Sequence, residues 1–453
     1  MKVQAVVGDE QFGIFFALFN LSIILNIILD LGITNFNNRN ISQNQQLLSK
    51  HLSSLLVLKF LLGILYAVIC IIVALIIGWH GHELYLLTFL IFNQFLASLI
   101  LYLRSNISGL QLFRTDSFLS VLDRALMIVI CSILLYGNIT DTPFKIEWFI
   151  YSQTVAYLIT AIIVFLVVLR KCEFLKLNYD RTFFIAILKQ SYPFAILILL
   201  MAFYNRVDPI MLERLRPDGK LQAGIYTQGY QILDAANNFA FLFPVLLLPM
   251  FSKMLKNKEN IQQILKLSFS LLVAPVILLA AICWFYPKEI LDLFFNENTE
   301  VSSVVFKYIM IGFIFISSTH IISTLLTANG SLLQLNIIAG CGMLINIILN
   351  LILIPVYGAK GAAITSVSTQ AITAIIQIII AVRIFNLKFN YSLIFKFLSL
   401  IIILAVIGYV LEKYITNWQL SLLILSLIGV IYIFGIKLIG IKNIYLIVRY
   451  NED

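Results

Sequence analysis

Thr324 to Gln370 reads TLLTANGSLLQLNIIAGCGMLINIILNLILIPVYGAKGAAITSVSTQ. Two apolar runs, each long enough to cross about 30 Å of hydrocarbon, flank Pro355-Val-Tyr-Gly-Ala-Lys-Gly361, a segment too short for anything but a tight return. Polar side chains are planted in both runs: Asn346 and Asn350 in the first, then Ser366, Gln370, Thr373 and Gln377 in the second. The pattern predicts a transmembrane helical hairpin with a polar inner face.

The rest of the chain repeats this alternation. Of 453 residues 61% are hydrophobic and 12% charged, with a mean hydropathy of +0.99. A soluble domain averages about 25% charged residues, so a water-soluble fold is excluded. Inside hydrocarbon every backbone polar group must bond within its own segment, which makes the apolar blocks helices. The ten-residue alternating segments of a membrane β-barrel are missing. Thirteen spans are expected, at 12–35, 52–77, 84–103, 118–136, 148–169, 184–204, 223–251, 265–286, 303–326, 333–354, 361–382, 393–411 and 418–436. The formal charge of +9 does not indicate nucleic acid, because Lys and Arg sit in the short intervals between blocks. The five cysteines form no CxxC pair and read as small core residues, with neither disulfide nor zinc role. His80-Gly-His-Glu83 reads as a solvated turn, and no cofactor or metal is expected.

Assigning alternate intervals to alternate sides puts seventeen Lys and Arg on one side and nine on the other. The positive-inside rule then places the C-terminus in the cytoplasm and, with thirteen spans, Met1 outside. No cleavable signal peptide precedes the first block. An internal repeat accompanies this asymmetry: Gly13 matches Gly224, Gly109 matches Gly330 and Gln153 matches Gln370, in the same order and about 210–220 residues apart. The expected organisation is an N-terminal bundle of five spans (1–182), a C-terminal bundle of six (183–385), and an additional helix pair with a cytoplasmic tail (386–453). The partner of span 184–204 in the first bundle would fall before Met1, so the first helix is expected to be absent.

Several pieces together resemble the polysaccharide flippase branch of the multidrug/oligosaccharidyl-lipid/polysaccharide exporter superfamily: Gly8-Asp-Glu-Gln-Phe-Gly13, Asp30-Leu-Gly32, Ser191-Tyr-Pro-Phe194, Arg206-Val-Asp208, Ala223-Gly-Ile-Tyr226, Asn346-Ile-Ile-Leu-Asn350 and Ile354-Pro-Val-Tyr-Gly-Ala-Lys-Gly-Ala-Ala363. The resemblance implies an all-α polytopic membrane protein, with two pseudo-symmetric helix bundles around a central cavity. It implies translocation of a lipid-linked oligosaccharide across the bacterial cytoplasmic membrane, with no enzymatic chemistry. Its implied partners are the bilayer, the lipid-linked substrate, a polysaccharide polymerase and a coupling ion (H⁺ or Na⁺).

Such a task needs a wet polar path with positive charge to offset phosphate. Ionisable residues inside spans are costly and are therefore functional candidates. Ser22, Asn26 and Asp30 stack on one face of the first span, and Thr227, Gln231, Asp234 and Asn238 form a longer stripe on the seventh. Ser366, Gln370, Thr373 and Gln377 repeat that spacing in the eleventh, with Gln153 the repeat counterpart of Gln370. These stripes either line a cavity or hydrogen-bond neighbouring helices. Among the cations, Lys59 either meets Asp30 or snorkels to headgroups, as Arg124 also would; Arg206 with Asp208 is either a structural pair or part of an outer gate. His320 is either a helix–helix hydrogen bond or a proton relay. Pro193, Pro244, Pro249 and Pro275 lie in apolar runs as hinge candidates. A lipid-linked oligosaccharide flippase is the leading expectation, and a cation-coupled multidrug exporter of the same superfamily is the alternative.

Overall fold

The computed structural model describes residues 1–137, 144–172, 174, 181–387 and 390–439, apart from a few side chains within helices. Lys176, Lys388, Lys442 and Arg449 of the charge asymmetry lie outside the described residues, as do the side chains of Arg39, Ser191, Pro193 and Phe194. Everything described is helical or connecting, with no strand among the described residues. Among the described residues twelve of the expected spans are helices long and apolar enough to cross a membrane, and the bent pair Ala195–Arg206 with Asp208–Leu215 makes thirteen when counted as one span.

The chain forms two compact units, one of Val6–Arg214 and one of Met1–Ala5 with Leu215–Asp453. They divide after the span at 184–204, whereas the internal repeat divides before it; the repeat-based division remains a proposal about the chain's duplication.

After a short α1 (Lys2–Val7), the first unit holds α2 (Asp9–Leu25), α3 (Ile33–Gln43), α4 (Leu48–Ile77), α5 (His82–Gly109), α6 (Phe113–Tyr136), α7 (Ile146–Leu169), α8 (Arg181–Arg206) and α9 (Asp208–Leu215). Helix α5 is central and packs on α2, α3 and α7. Leu52, Leu55, Tyr102, Leu103 and Val164 form its buried contact. Phe118, Val121 and Ile128 of α6 point outward, as apolar side chains do where lipid replaces water.

The second unit holds α10 (Gly219–Ala240), α11 (Leu242–Lys256), α12 (Gln262–Phe285), α13 (Pro287–Asp292), α14 (Thr299–Ala328), α15 (Leu332–Tyr357), α16 (Ala359–Phe385), α17 (Tyr391–Tyr414) and α18 (Trp418–Gly435). Helix α14 is central here, against α10, α11, α12 and α16, while α17 and α18 dock on α12.

Two spans depart from the continuous helices expected of them, and the return of the opening hairpin is tighter than expected. The first ends early: α2 tightens into a 3-10 turn at Asn26–Leu29, and Leu31 and Gly32 take positive φ before α3 starts at Ile33. The seventh breaks at Phe241. Pro244 has no N–H for the Ala240 carbonyl and its ring clashes there, so α10 stops and α11 begins with the proline in its first turn, where it is tolerated. At the opening hairpin, α15 runs through Pro355 to Tyr357 and the return is made by Gly358 alone, at φ 57 and ψ −135.

That single-residue return explains the Pro-Val-Tyr-Gly-Ala-Lys-Gly segment. The backbones of α15 and α16 meet so closely at Gly361 that a Cβ there would lie 2.3 Å from the Leu353 carbonyl oxygen. The tip is then tied to the start of α10. Arg216 Nη1 donates to the Pro355 carbonyl at 3.0 Å, and Gln222 Oε1 accepts from the Ala359 N–H at 2.9 Å. Asp218 orients both partners, accepting from Arg216 Nε at 2.7 Å and from Gln222 Nε2 at 2.8 Å. The Arg216 hydrogen bond holds the Asp218 carboxyl below the usual carboxylate range. A carboxylate with a depressed folded pKa stabilises above its unfolded value, and that contribution fades as pH falls through the folded one.

Gly361→Val is expected to lower the melting temperature of the purified protein sharply, because overpacking against backbone costs about 1–3 kcal/mol or more. Gly435→Ala, which meets open space, should leave the melting temperature unchanged in the same assay. In an acid titration of thermal stability, Asp218→Asn should remove a contribution that the wild-type protein keeps until the pH drops below the ordinary carboxylate range.

Candidate functional site

The break at the end of α2 exposes a carbonyl and a carboxylate inside an apolar bundle, and one lysine answers both. Lys59, 1% exposed, comes from α4, about 16 Å along that helix from its start at the rise of an α-helix. Its ammonium group donates to Asp30 Oδ1 at 2.6 Å, to the Leu29 carbonyl at 2.9 Å and to Ser98 Oγ at 3.0 Å. Those three acceptors use all three N–H bonds. The Thr34 hydroxyl and backbone N–H also bond Asp30 Oδ1. The structure thus takes the Asp30 pairing and not the headgroup route for Lys59. Asp30 keeps 30% side-chain exposure, so the cluster has one sealed and one open end. Arg124, by contrast, is exposed on the outer flank of α6, as a snorkelling residue would be.

At the other end of the same unit, the chain bends by 47° at Val207, between α8 and α9. Arg206 is half-buried before the bend and donates to Asn20 Oδ1 of α2 at 3.4 Å. Asp208 is fully buried in the first turn of α9, where a carboxylate opposes the exposed N–H groups of the helix start. Glu213 accepts from Trp79 Nε1 at 3.0 Å and from Arg214 Nε at 2.9 Å, with the Arg214 guanidinium 5.3 Å above the Trp79 ring. This triad joins α9 to the turn between α4 and α5. The sequence carried no signal for it, since 134 residues separate Trp79 and Glu213.

In the second unit the stripe on α10 is met by an unexpected segment. Buried Gln4 donates to the Gly224 carbonyl at 2.9 Å and accepts from Gln231 Nε2 at 2.5 Å. Thr227 turns its hydroxyl back onto the Ala223 carbonyl. Lower on the same helix Asp234 is half-buried and Asn238 exposed. Asn237 bonds His320 Nε2 of α14 at 2.9 Å, with the Phe241 ring edge-on to the imidazole. That is a helix–helix hydrogen bond, one of the two readings open for His320.

The other candidates are enclosed. Asn346 and Asn350 are fully buried and bond each other at 3.0 Å. Gln370, Thr373 and Gln377 are buried on α16, against α14 and α15, and Gln153 is buried on α7. The twelve candidates therefore divide: Asp30, Arg124 and Arg206 in the first unit and Gln231, Asp234 and Asn238 in the second keep some exposure. Lys59, Asp208, Gln153, Gln370, Asn346 and Asn350 are sealed among helices. No cluster of three His, Cys, Asp or Glu with metal-ligand spacing exists among the described residues.

Comparison with known proteins agrees with this architecture. The chain belongs to the polysaccharide biosynthesis protein family, whose model matches residues 3–255, and a second model, MatE, matches residues 255–352. The chain is 25% identical over 401 residues to an uncharacterized membrane protein of Methanocaldococcus jannaschii, which covers 84% of this chain and 92% of that one. Its fold is similar to the lipid II flippase MurJ in an inward closed conformation, with a TM-score of 0.71 and 17% identity over 96% of this chain and 94% of that one. An inward-facing multidrug resistance MATE family transporter of the MOP superfamily follows at a TM-score of 0.63 and 16% identity, over 84% and 91% of the two chains. At these identities the solved structures establish the fold alone, a multi-pass all-helical membrane fold like those of the MurJ and MATE structures.

Lys59→Ala is expected to destabilise the protein by about 3–5 kcal/mol, since it strands a carboxylate and a carbonyl inside the bundle. Lys59→Met combined with Asp30→Asn should recover part of that loss. Thermal unfolding of both variants beside the wild type checks the order.

Proposed function

We propose that this protein is a flippase, moving a polyprenyl-pyrophosphate-linked oligosaccharide repeat unit across the bacterial cytoplasmic membrane by alternating access, for surface polysaccharide assembly. The observation that carries this reading is the polysaccharide biosynthesis family match over residues 3–255. The lipid II flippase fold likeness is consistent with it. Half-buried Arg206 and the amides Gln231 and Asn238 supply what such a headgroup asks for, a cation for phosphate and exchangeable hydrogen bonds for sugar hydroxyls. In this proposal Asp234 and Arg206 face the substrate, Arg206 with Asp208 forms the outer gate, and the break at Phe241 and Pro244 is the hinge. The C-terminus is cytoplasmic, a polysaccharide polymerase is the downstream partner, and H⁺ or Na⁺ supplies the coupling.

A cation-coupled multidrug exporter is the second reading. The MatE model match over residues 255–352 favours it, as does an acid, Asp234, half-buried within a span.

In a strain lacking its own flippase, the wild-type gene should restore surface polysaccharide, while Asp234→Ala and Arg206→Ala should each abolish it at normal protein levels. Gln370→Ala, at a sealed position, should retain polysaccharide and lose thermal stability. Wild-type polysaccharide from both site variants would reject the site assignment, and failure of the wild-type gene combined with drug resistance would favour the exporter. Pro244→Ala with Pro249→Ala should slow transport without unfolding the protein.

A further inference from the structure

The outer surface of the second unit carries a slot with a polar mouth and an apolar floor. It has a volume of about 240 Å³ and is walled by α12, α14, α16 and α17 with Leu387 and Asn390. Gln262 and Lys266 lie in the first two turns of α12, and Asn390 caps the start of α17 by accepting from the Leu393 N–H. One to two turns further along the helices the wall becomes Phe269, Ile378 and Phe397. Seven residues separate Gln262 from Phe269 and Asn390 from Phe397, about 10 Å at the rise of an α-helix. The mouth therefore sits where two spans begin and the floor lies within their apolar length.

Charge at the mouth has one sign. Lys266 is the one ionisable residue in the lining, it is exposed, and it makes no ion pair among the described residues. The flanking sequence is also basic: 253–266 carries Lys253, Lys256, Lys258 and Lys266 against Glu259, and Arg383 and Lys396 flank the other side. Apolar depth below a cationic rim between membrane helices suits an anionic amphiphile, with phosphate at the lysine and a hydrocarbon chain below. The volume falls under the usual range for a whole small-molecule ligand, about 300–1,000 Å³, and suits part of one acyl chain whose remainder stays in the bilayer.

We infer that this slot binds an anionic glycerophospholipid of the surrounding leaflet, with its phosphodiester at Lys266 and one acyl chain between α12 and α17. The lipid fills the joint between α17 and the helices it docks on. It is a resident of the protein, separate from any transported molecule, and the inference stands whichever substrate the transporter carries.

Native mass spectrometry of the purified protein, offered an equimolar mixture of phosphatidylglycerol and phosphatidylcholine, tests it. The wild type should retain phosphatidylglycerol preferentially, and its melting temperature should rise with that lipid. Lys266→Gln should weaken retention about fivefold, the effect of one lysine near a phosphate surface. Ile378→Trp, which fills the floor, should lower retention of both lipids, with the lipid-free melting temperature of each variant serving as the folding control. Equal retention of the two lipids by the wild type, or an unchanged preference in Lys266→Gln, would overturn the inference. Displacement of phosphatidylglycerol by a polyprenyl phosphate at equal concentration would overturn it too, by giving the slot to a transported lipid.

Discussion

A carbonyl released by a broken helix inside hydrocarbon has no water to turn to, and this constraint organises the fold. Where α2 unwinds after Leu25, Lys59 supplies the missing donor to the Leu29 carbonyl and pairs with Asp30 in the same stroke. A second tie stands at the exposed hairpin tip, at the end of the spans, where Arg216 donates to the Pro355 carbonyl and Gln222 accepts the N–H that opens α16. Both ties come from residues distant in sequence, so the same groups also fix which helices stand together. A long polar side chain within a span is here a structural fastener first, and whatever transport role it has must be compatible with that duty.

The polar candidates differ in how fully the protein encloses them. Buried ion pairs contribute little net stability, and breaking one is costly because the partner is left uncompensated; Lys59 fits that description at the sealed end of its cluster, with Asp30 at the open end. Asn346 with Asn350, and the amides of α16, are enclosed and serve helix contact. Asp234, Asn238 and Arg206 keep some exposure, as does Gln231, whose amide bonds Gln4 and the N-terminal amine. The proposed transport chemistry therefore rests on residues of α10 and of the bend between α8 and α9.

The thirteen spans were legible because apolar runs bounded by short polar intervals leave no other solution in a bilayer. The Lys59–Asp30 pairing was legible too, since adjacent antiparallel spans place both near the same end. What spacing could not give was depth of burial. Gln231 and Gln370 occupy equivalent positions in stripes of the same spacing, yet one keeps exposure and the other is enclosed, because a stripe reveals a shared face and not what stands opposite it. The early end of α2 was half visible in Asp30-Leu-Gly32, where a glycine accommodates positive φ. Docking of Gln4 on α10 and the Trp79–Glu213–Arg214 triad had no local signal, since both depend on which distant segments fold side by side.

The central claim is that this family member carries a lipid-linked oligosaccharide between leaflets. The most direct measurement reconstitutes the purified protein into liposomes holding a polyprenyl-pyrophosphoryl oligosaccharide labelled on its sugar, then follows the fraction that an impermeant enzyme or oxidant can reach. The account predicts time-dependent transfer beyond the initially accessible half, lost in Asp234→Ala. No transfer by folded protein that instead moves a lipophilic cation against an imposed H⁺ or Na⁺ gradient would contradict it.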